Sequence, residues 1–549
     1  MLLLAALLLA APDLIIVNAE LPTLGGTQPA DSDAFAVTAG KISAIGASKD
    51  ILAQKGPKTE VIDARERMVV PGFIDAHVHF LNGGLENDHV DLHRARSIAD
   101  VWDRLDRYAK DHPLSRWIVG RGWDYELFET FDPPYPSRAL LDKLPIDKPI
   151  YLRSYDGHAA WANTKALEVL GITAAMPDPD GGKIVREKDG KTPHGTLLER
   201  AQGPYFAQLP PIGDDRKKKA LQLAQTQAIA LGITTIDDFD SDPTTADLYT
   251  ALEKQGALDL NVFVSPPLST PIADLKALRD RLLRDSKKVR LGSLKHNVDG
   301  VVEANAAAFF EPYGDNPKMM GDLIQSEAAL VALMQPAHEA GFSISLHATG
   351  DRAVNTALNA FERLLEKRPQ TDAQHHRIEH VEILKKGDAE RFTRMRIAAS
   401  MHPFHALPGD EEMKTMWERK VGKARFARAF AWRELQRAGA QLVFGSDWPA
   451  LALSPLKGVG VAMSRKNGRG LPARGFVPEQ ALSLSEAVIA YTNNGATVLN
   501  LDNVRGEIEV GQAADFVVLS DTIEPDEALS FFWGAVDYTF IEGRKVYER

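Results

Sequence analysis

The chain has 549 residues and a formal net charge of −11, with 44% hydrophobic and 25% charged residues. This composition is typical of a globular enzyme or binding protein and excludes a disordered or fibrous chain. The negative charge argues against a nucleic-acid partner, which would require clustered lysine and arginine. Because the length exceeds one ordinary core, we expect two domains. The chain contains no cysteine, so any metal must be held by nitrogen and oxygen ligands.

The N-terminal residues 1–11 form an apolar run that ends in two alanines. The run is similar to the apolar core and cleavage site of a secretory signal, although the basic residues that usually precede such a core are missing. It is too short to span a bilayer, and we predict no membrane span. We therefore favour a periplasmic or secreted protein, with a cytoplasmic location as the alternative.

Short strands punctuated by glycine occupy residues 12–70, and the same pattern recurs in residues 503–549. Alternating polar and apolar positions with glycine turns are typical of small β-domains. The two ends resemble each other and bracket a different middle. We therefore predict one small β-sandwich domain that both chain ends build together.

Residues 71–502 alternate helical and strand patterns, which indicates βα units and a parallel sheet. The candidate strands lie at 69–80, 116–124, 149–154, 233–236, 289–295, 342–347, 377–380, 397–402 and 441–447. These nine candidates are one more than a closed barrel needs, and from them we predict an α/β fold in which eight parallel strands close a TIM-like (β/α)8 barrel. Residues 178–199 lack helical periodicity and are predicted to be an insertion over the barrel face. Ser483 and Glu486 fit a capping box that opens a helix running towards Leu499.

Two histidines close the first candidate strand of the middle region. His77 and His79 are two residues apart, so in a strand both imidazoles point to one side and can hold one metal ion. In a barrel the strand ends share one rim, and several other strands also end in titratable groups. These further candidate ligands are Lys295, His347, His380 and Asp447. Imidazole and carboxylate ligands suit zinc and its neighbours in the first transition row.

Several motifs occur in a characteristic order: PGFIDAHVH at 71–79, DGHAAWAN at 156–163, HATGDRAV at 347–354, HRIEH at 376–380 and GSDWP at 445–449. This order resembles that of the amidohydrolase superfamily. Within it the chain is similar to the amidohydrolase-3 branch, which includes N-substituted formamide deformylases. The resemblance extends over almost the whole chain after the leader.

The resemblance implies a metal-dependent hydrolase with one or two divalent ions, zinc being preferred. It implies six ligands: His77, His79 and Asp447 for the more buried ion, His347 and His380 for the other, and a carboxylated Lys295 as the bridge. Strand alternation lets only one of Lys295 and His296 face the rim, so either could be the ligand. The same alternation predicts that Glu379 points away and has a structural role.

The predicted reaction is cleavage of a non-peptide C–N amide bond in a small-molecule substrate. Asp447 would act as general base and then as general acid, although it could merely cap the following helix. His158 is a candidate catalytic hydrogen-bond donor, as is His402, with an orienting or packing role as the alternative for each. Asp351 and Arg352 are predicted to orient the ligands.

Other functions stay open on the same residues. The metal site could instead cleave a lactone or an ester, or deaminate its substrate, and a catalytically inactive binding protein is the alternative of another class. The aromatic residues predicted near the barrel mouth are Trp123, Tyr125, Phe128, Trp161, Phe404 and Trp448. They would favour an apolar or aromatic substrate group. The sequence does not set the oligomeric state, and a homo-oligomer is one option.

Overall fold

A computed structural model of the chain describes residues 11–22, 24, 31–86, 89–93, 95–113, 115–208, 212–239, 241–407 and 415–549. Apart from Ala11, the predicted signal segment lies outside these residues. No helix in these ranges is long and apolar enough to cross a membrane. The protein has an α/β architecture, in which helices connect the strands of two parallel sheets.

The strands of the described chain, numbered in order, are β1 Leu14–Val17, β2 Ala34–Thr38, β3 Lys41–Gly46, β4 Glu60–Asp63, β5 Val69–Pro71, β6 Phe73–Val78, β7 Val90–Asp91, β8 Ile118–Trp123, β9 Ile150–Ser154, β10 Ala159–Ala162, β11 Gly182–Arg186, β12 Pro193–Glu199, β13 Ile233–Phe239, β14 Asn261–Ser265, β15 Val289–Leu291, β16 Leu294–Asn297, β17 Ile344–Ala348, β18 Arg377–His380, β19 Ala398–Met401, β20 Leu442–Phe444, β21 Phe516–Leu519, β22 Val536–Ile541 and β23 Arg544–Glu548.

The α-helices in the same ranges are Ser48–Leu52, Phe80–Glu86, Ile98–Asp111, Arg138–Leu141, Thr164–Val169, Gly203–Gln208, Asp214–Ala230, Pro243–Lys254, Ile272–Asp285, Glu327–Glu339, Asp351–Lys367, Ala389–Met395, Met416–Val421, Lys423–Phe426, Trp432–Arg437, Pro455–Ser464, Leu484–Ala490, Asn493–Val498 and Ser530–Trp533. Short 3-10 helices lie at Tyr125–Phe128, Arg200–Gln202, Pro403–Ala406 and Pro478–Gln480.

Both chain ends contribute strands to two small four-stranded sheets. One has the strand order β3-β2-β1-β4 and the other β23-β22-β21-β5. The sheets share an apolar core, in which the ring centroids of Phe35 and Phe516 are 4.9 Å apart. Phe516 also stacks on Phe540 at 4.4 Å. Since β5 is followed directly by β6, this core also fixes where the first strand of the middle region begins.

The middle of the chain forms two parallel sheets, with the orders β15-β14-β13-β6 and β16-β17-β18-β19-β20. Parallel neighbours require long connections, which the helices supply. The two sheets approach each other at both edges. A parallel bridge joins Pro267 to Lys295, and the Asp447 amide donates to the His77 carbonyl at 2.9 Å. The carboxyl ends of β6 and β20 are therefore adjacent.

The fully buried Arg377, on β18, links strands of both parallel sheets. Its guanidinium donates to the Ala76 carbonyl at 3.0 Å and to Asp237 at 2.5 Å, which lie on β6 and β13. It also donates to Ser293 at 2.9 Å and to Ser345 on β17 at 3.2 Å. Burial raises the pKa of Asp237 to about 6, and Arg377 opposes that rise. A buried cation is tolerated here because it is paired with a carboxylate and makes these four hydrogen bonds.

Two of the predicted barrel strands lie elsewhere. β8 and β9 belong to a separate six-stranded sheet with the order β11-β12-β10-β9-β8-β7, which also contains strands from the predicted insertion at 178–199. The assignment failed because β8 and β9 are buried apolar strands that pair in parallel, and this local pattern does not reveal which sheet they join. The middle sheets contain β14 instead, an unpredicted strand that ends in Ser265 rather than in a titratable residue.

The capping box predicted at Ser483 and Glu486 is confirmed. The Ser483 hydroxyl accepts a hydrogen bond from the Glu486 amide, and the Glu486 carboxylate accepts one from the Ser483 amide at 2.6 Å. The helix that it opens ends at Ala490, and a second helix begins at Asn493. The predicted single helix is therefore two short ones.

Replacing Arg377 with methionine should destabilise the protein by about 3–5 kcal/mol, because Asp237 would remain buried without its cation. Urea unfolding followed by tryptophan fluorescence measures the loss. The matched control is Arg279→Met, which removes a partly exposed arginine from the helix Ile272–Asp285 and should leave stability close to that of the wild type. Equal midpoints for the two variants would contradict the role given to Arg377.

Candidate metal centre

The carboxyl ends of several parallel strands place histidines around one carboxylate. Three groups in the described chain have one potential ligand atom per residue within 4.8 Å of one another. They are His77, His380 and His402; His77, His79 and Asp447; and His380, His405 and Asp447. Imidazole nitrogens and carboxylate oxygens suit zinc and other first-row divalent ions.

Four of the six predicted ligands fall in these groups, namely His77, His79, His380 and Asp447. The other two lie beside them. Lys295 Nζ is 3.4 Å from His77 Nε2, and the ring centroids of His347 and His380 are 4.2 Å apart. The Nε2 atom of His347 is 3.1 Å from the Thr349 hydroxyl, so that nitrogen already has a partner within the protein.

The structure distinguishes Lys295 from its neighbour His296. Lys295 is 5% exposed and points towards His77, with Nζ 4.9 Å from the centre of the Phe239 ring. His296 is half-buried, and burial lowers its pKa. Because the two residues are consecutive on β16, their side chains point to opposite sides. Lys295 is the one that faces the candidate metal centre.

The backbone leaves regular strand geometry at the residues that complete the centre. His380 and Asp447 have φ angles of 73° and 56°, in the left-handed region that non-glycine residues rarely adopt. In a continued strand Glu379 and His380 would point to opposite sides. The turn of the backbone at His380 lets both side chains reach the centre.

The prediction that Glu379 points away is therefore wrong. Its Oε2 atom accepts a hydrogen bond from His77 Nδ1 at 2.9 Å, and both side chains are fully buried. A carboxylate bound to the outer nitrogen of an imidazole fixes its tautomer and its ring orientation. Glu379 thus leaves His77 Nε2 available to a ligand.

Asp447 is bound through both carboxylate oxygens. His79 Nε2 lies 3.2 Å from Oδ1, and His405 Nε2 lies 3.1 Å from Oδ2. Burial would raise the pKa of Asp447, but the hydrogen bonds from His405 and His79 and the neighbouring imidazoles hold it well below its ordinary value. Asp447 does not cap the following helix, because that helix begins at Pro455 and its N-cap residue is Ser454.

Sequence reasoning missed His405. It lies in the 3-10 helix Pro403–Ala406 and contacts Asp447 through Nε2, while its Nδ1 is 3.2 Å from Glu382 Oε1. Trp417 Nε1 donates to the other Glu382 oxygen at 2.6 Å. These contacts fix the ring of His405 against Asp447. The available signal was the three-residue spacing of His402 and His405 directly after a predicted strand.

His158, predicted as a hydrogen-bond donor, lies between β9 and β10 and belongs to none of the three groups. Its Nδ1 donates to Glu199 Oε2 at 3.0 Å. Burial lowers the pKa of His158, but Glu199 raises it to about 9. His158 is therefore an imidazolium at neutral pH.

Asp351 and Arg352, which were predicted to orient the ligands, instead bind the backbone of a neighbouring loop. Asp351 accepts a hydrogen bond from the Phe310 amide at 3.0 Å, and Arg352 donates to the Gly321 carbonyl at 2.6 Å. They fix the loop after β16, whose Gly300 carbonyl oxygen lies 3.5 Å from His347 Nε2.

A cavity of about 730 Å³ opens beside the centre, and His405 and Glu382 lie on its wall. Phe404 and Trp448, two of the aromatic residues predicted near the mouth, also line it. The other four form part of the core of the six-stranded sheet: Trp123, Tyr125, Phe128 and Trp161. That part of the prediction was wrong because β8 and β9, the strands next to these residues, had been placed in the barrel.

Residues 60–547 match the family model of the amidohydrolase family. The chain belongs to this family. This amidohydrolase is 30% identical to the putative amidohydrolase YtcJ of Bacillus subtilis, over 94% of this chain and 96% of the relative. It is 28% identical to the N-substituted formamide deformylase of Arthrobacter pascens, over 92% of this chain and 93% of that enzyme. The predicted membership of the amidohydrolase-3 branch is confirmed.

The fold of this amidohydrolase is similar to that of an uncharacterized metal-dependent hydrolase from Pyrococcus horikoshii OT3. The two share a TM-score of 0.71 and 23% sequence identity, over 93% of this chain and 98% of that one.

Replacing Glu379 with glutamine should weaken zinc binding about 10–100-fold, because His77 would lose the carboxylate that orients it. Competition with a chromophoric chelator measures the dissociation constant. The control Glu362→Gln removes a carboxylate that pairs with Arg391 and Arg394 at the protein surface. If Glu379→Gln and Glu362→Gln bound zinc equally well, the orienting role of Glu379 would be refuted.

Proposed function

We propose that the two parallel sheets are the halves of one closed (β/α)8 barrel within residues 71–502, in which β15 and β16, separated only by Gly292 and Ser293, count as one interrupted strand. The hydrogen bonds of Arg377 to strands of both sheets support this closure, as do the contacts at both sheet edges. The six-stranded sheet would be inserted into the barrel between β6 and β13. Residues 12–70 and 503–549 would form the accompanying β-sandwich.

We propose that this amidohydrolase is a metal-dependent hydrolase of C–N bonds other than peptide bonds. The observation that carries the proposal is the charged Asp447 carboxylate, held among buried imidazoles beside a cavity of about 730 Å³. A cavity of this size suits a small molecule. The formamide deformylase relative favours an N-substituted formamide or a similar amide as substrate.

The proposed ligands of one or two zinc ions are His77, His79, Lys295 in carboxylated form, His347, His380 and Asp447. The side chains present fit such an ion. Burial lowers the pKa of His77 and of His380, so both are neutral imidazoles with a lone pair. His402 Nε2 is a buried nitrogen for which the described chain supplies no hydrogen-bond partner. A bound divalent ion would supply water ionised near neutral pH and a polarised substrate carbonyl.

The protein's own groups would move the protons. Asp447 would take a proton from the attacking water and return it to the leaving nitrogen. His405 holds the Asp447 carboxylate in place. His158, charged beside Glu199, would donate a hydrogen bond to the substrate oxygen as negative charge develops there.

Asp447→Asn should lower kcat about 10²–10⁴-fold, because asparagine cannot accept the proton of water. Removal of metal by a chelator should abolish turnover, and added zinc should restore it. Rates are measured on N-substituted formamides, N-acyl amino acids and lactones, with the exposed Asp521→Asn variant as control. Undiminished turnover by the chelated enzyme or by Asp447→Asn would refute the mechanism. If lactones were cleaved faster than amides, the esterase alternative would be favoured. If an amino-substituted heterocycle released ammonia, the deaminase alternative would be favoured.

Glu199→Gln should move the alkaline limb of the pH profile of kcat/KM to lower pH. In the wild type the Glu199 carboxylate raises the pKa of His158 to about 9, so the imidazolium is present below that pH and lost above it. Without the carboxylate, burial lowers the pKa, and the charge is lost at a lower pH. The exposed Glu168→Gln variant is the control. An alkaline limb at the same pH in all three proteins would remove His158 from the reaction.

A further inference from the structure

His402 is a buried histidine with one unused nitrogen. It follows β19 directly, is 1% exposed, and its Nδ1 lies 3.3 Å from the Gly445 carbonyl oxygen. Its Nε2 is buried and has no hydrogen-bond partner in the part of the chain that the structure describes. A buried polar atom without a hydrogen-bond partner destabilises the folded protein. This nitrogen therefore requires a partner that the described residues do not provide.

The Gly445 carbonyl determines which nitrogen of His402 carries the proton. A carbonyl oxygen can only accept, so Nδ1 must be the N–H donor and Nε2 must carry a lone pair. The same holds for His77, whose Nδ1 donates to Glu379. Two neighbouring imidazoles thus present unprotonated Nε2 atoms in the same region, where neither can donate a hydrogen bond to the other.

The imidazole rings of His77, His380 and His402 surround a common point. His402 lies 4.7 Å from His77 and 4.7 Å from His380 between ring centroids, with interplanar angles of 67° and 70°. His77 and His380 are 5.4 Å apart at 66°. A tetrahedral zinc ion with bonds of about 2.1 Å would hold three imidazole centroids roughly 5 Å apart. One nitrogen of each ring lies within 4.8 Å of the others.

We infer that His402 is a metal ligand through Nε2 and that it holds an ion together with His77 and His380. The inference rests on the proposed metal site and adds to it a ligand from outside the sequence motifs. Converging lone pairs repel one another unless a cation lies between them. Lys295 Nζ lies 3.4 Å from His77 Nε2, but no described residue binds His402 Nε2, and a divalent ion would supply the cation that this nitrogen lacks. The alternative partner is a water molecule that donates to Nε2 without any metal bond.

The variant His402→Asn separates these alternatives, because its amide can still donate to the Gly445 carbonyl while no atom replaces Nε2. We expect zinc affinity, measured by chelator competition, to fall at least about 10–100-fold. The visible absorption of the Co²⁺-substituted protein should change as well, since it reports the ligand set directly. His375→Ala is the control, because His375 is partly buried and binds Asn500 away from the centre.

Unchanged zinc affinity and an unchanged Co²⁺ spectrum in His402→Asn would overturn the inference and leave the proposed function intact. Wild-type protein that binds no divalent ion would overturn both. Should His402→Asn lack the wild-type circular dichroism spectrum, His402→Ala is measured with and without free imidazole. Recovery of zinc affinity with imidazole supports the inference, and an affinity that imidazole does not change contradicts it.

Discussion

The buried guanidinium of Arg377 is the interaction on which the arrangement of the strands depends. It is bound to β6, β13, β17 and the segment before β16, so strands distant in sequence meet at one cation. Phe239 packs above it, with the guanidinium 5.3 Å from the ring centre, and the ring of His77 stacks on Phe239 at 4.1 Å. The position of the first candidate ligand is thus set by a packed layer beneath it.

The candidate centre is built where the strands stop being regular. His380 and Asp447 both adopt left-handed backbones, a conformation that costs of order 1–3 kcal/mol at each residue. The surrounding contacts compensate for this strain, because the Asp447 amide is bound to the His77 carbonyl and its carboxylate to two imidazoles. Charged carboxylates and neutral imidazoles are thereby brought together in a water-poor environment, where electrostatic interactions are strong.

Sequence reasoning succeeded where a short-range rule governs the structure. Strand alternation correctly placed His77 and His79 on one side, and the capping box at Ser483 follows from two residues three positions apart. Sequence reasoning failed where the structure is decided by contacts between residues that are far apart in the chain. The sheet to which β8 belongs depends on its partners, and Glu379 reaches His77 only because the backbone turns at the next residue.

The set of candidate metal ligands could also be predicted only in part from the sequence. Motifs identified the histidines at strand ends, but His405 contacts Asp447 through a turn, and no periodicity marks that contact. Likewise, the unused nitrogen of His402 becomes visible only when the Gly445 carbonyl from another strand end is in place. Such features depend on which side chains meet in three dimensions, so one sequence without the fold does not reveal them.

We propose that side chains from separate strands hold a divalent ion at Asp447. Anomalous diffraction from crystals of the zinc-loaded protein, recorded on both sides of the zinc absorption edge, locates such an ion. We expect a zinc peak within bonding distance of His77 Nε2 and an Asp447 carboxylate oxygen. A zinc-loaded crystal with no peak at this position, or with its only peak at the protein surface, would refute the proposed site.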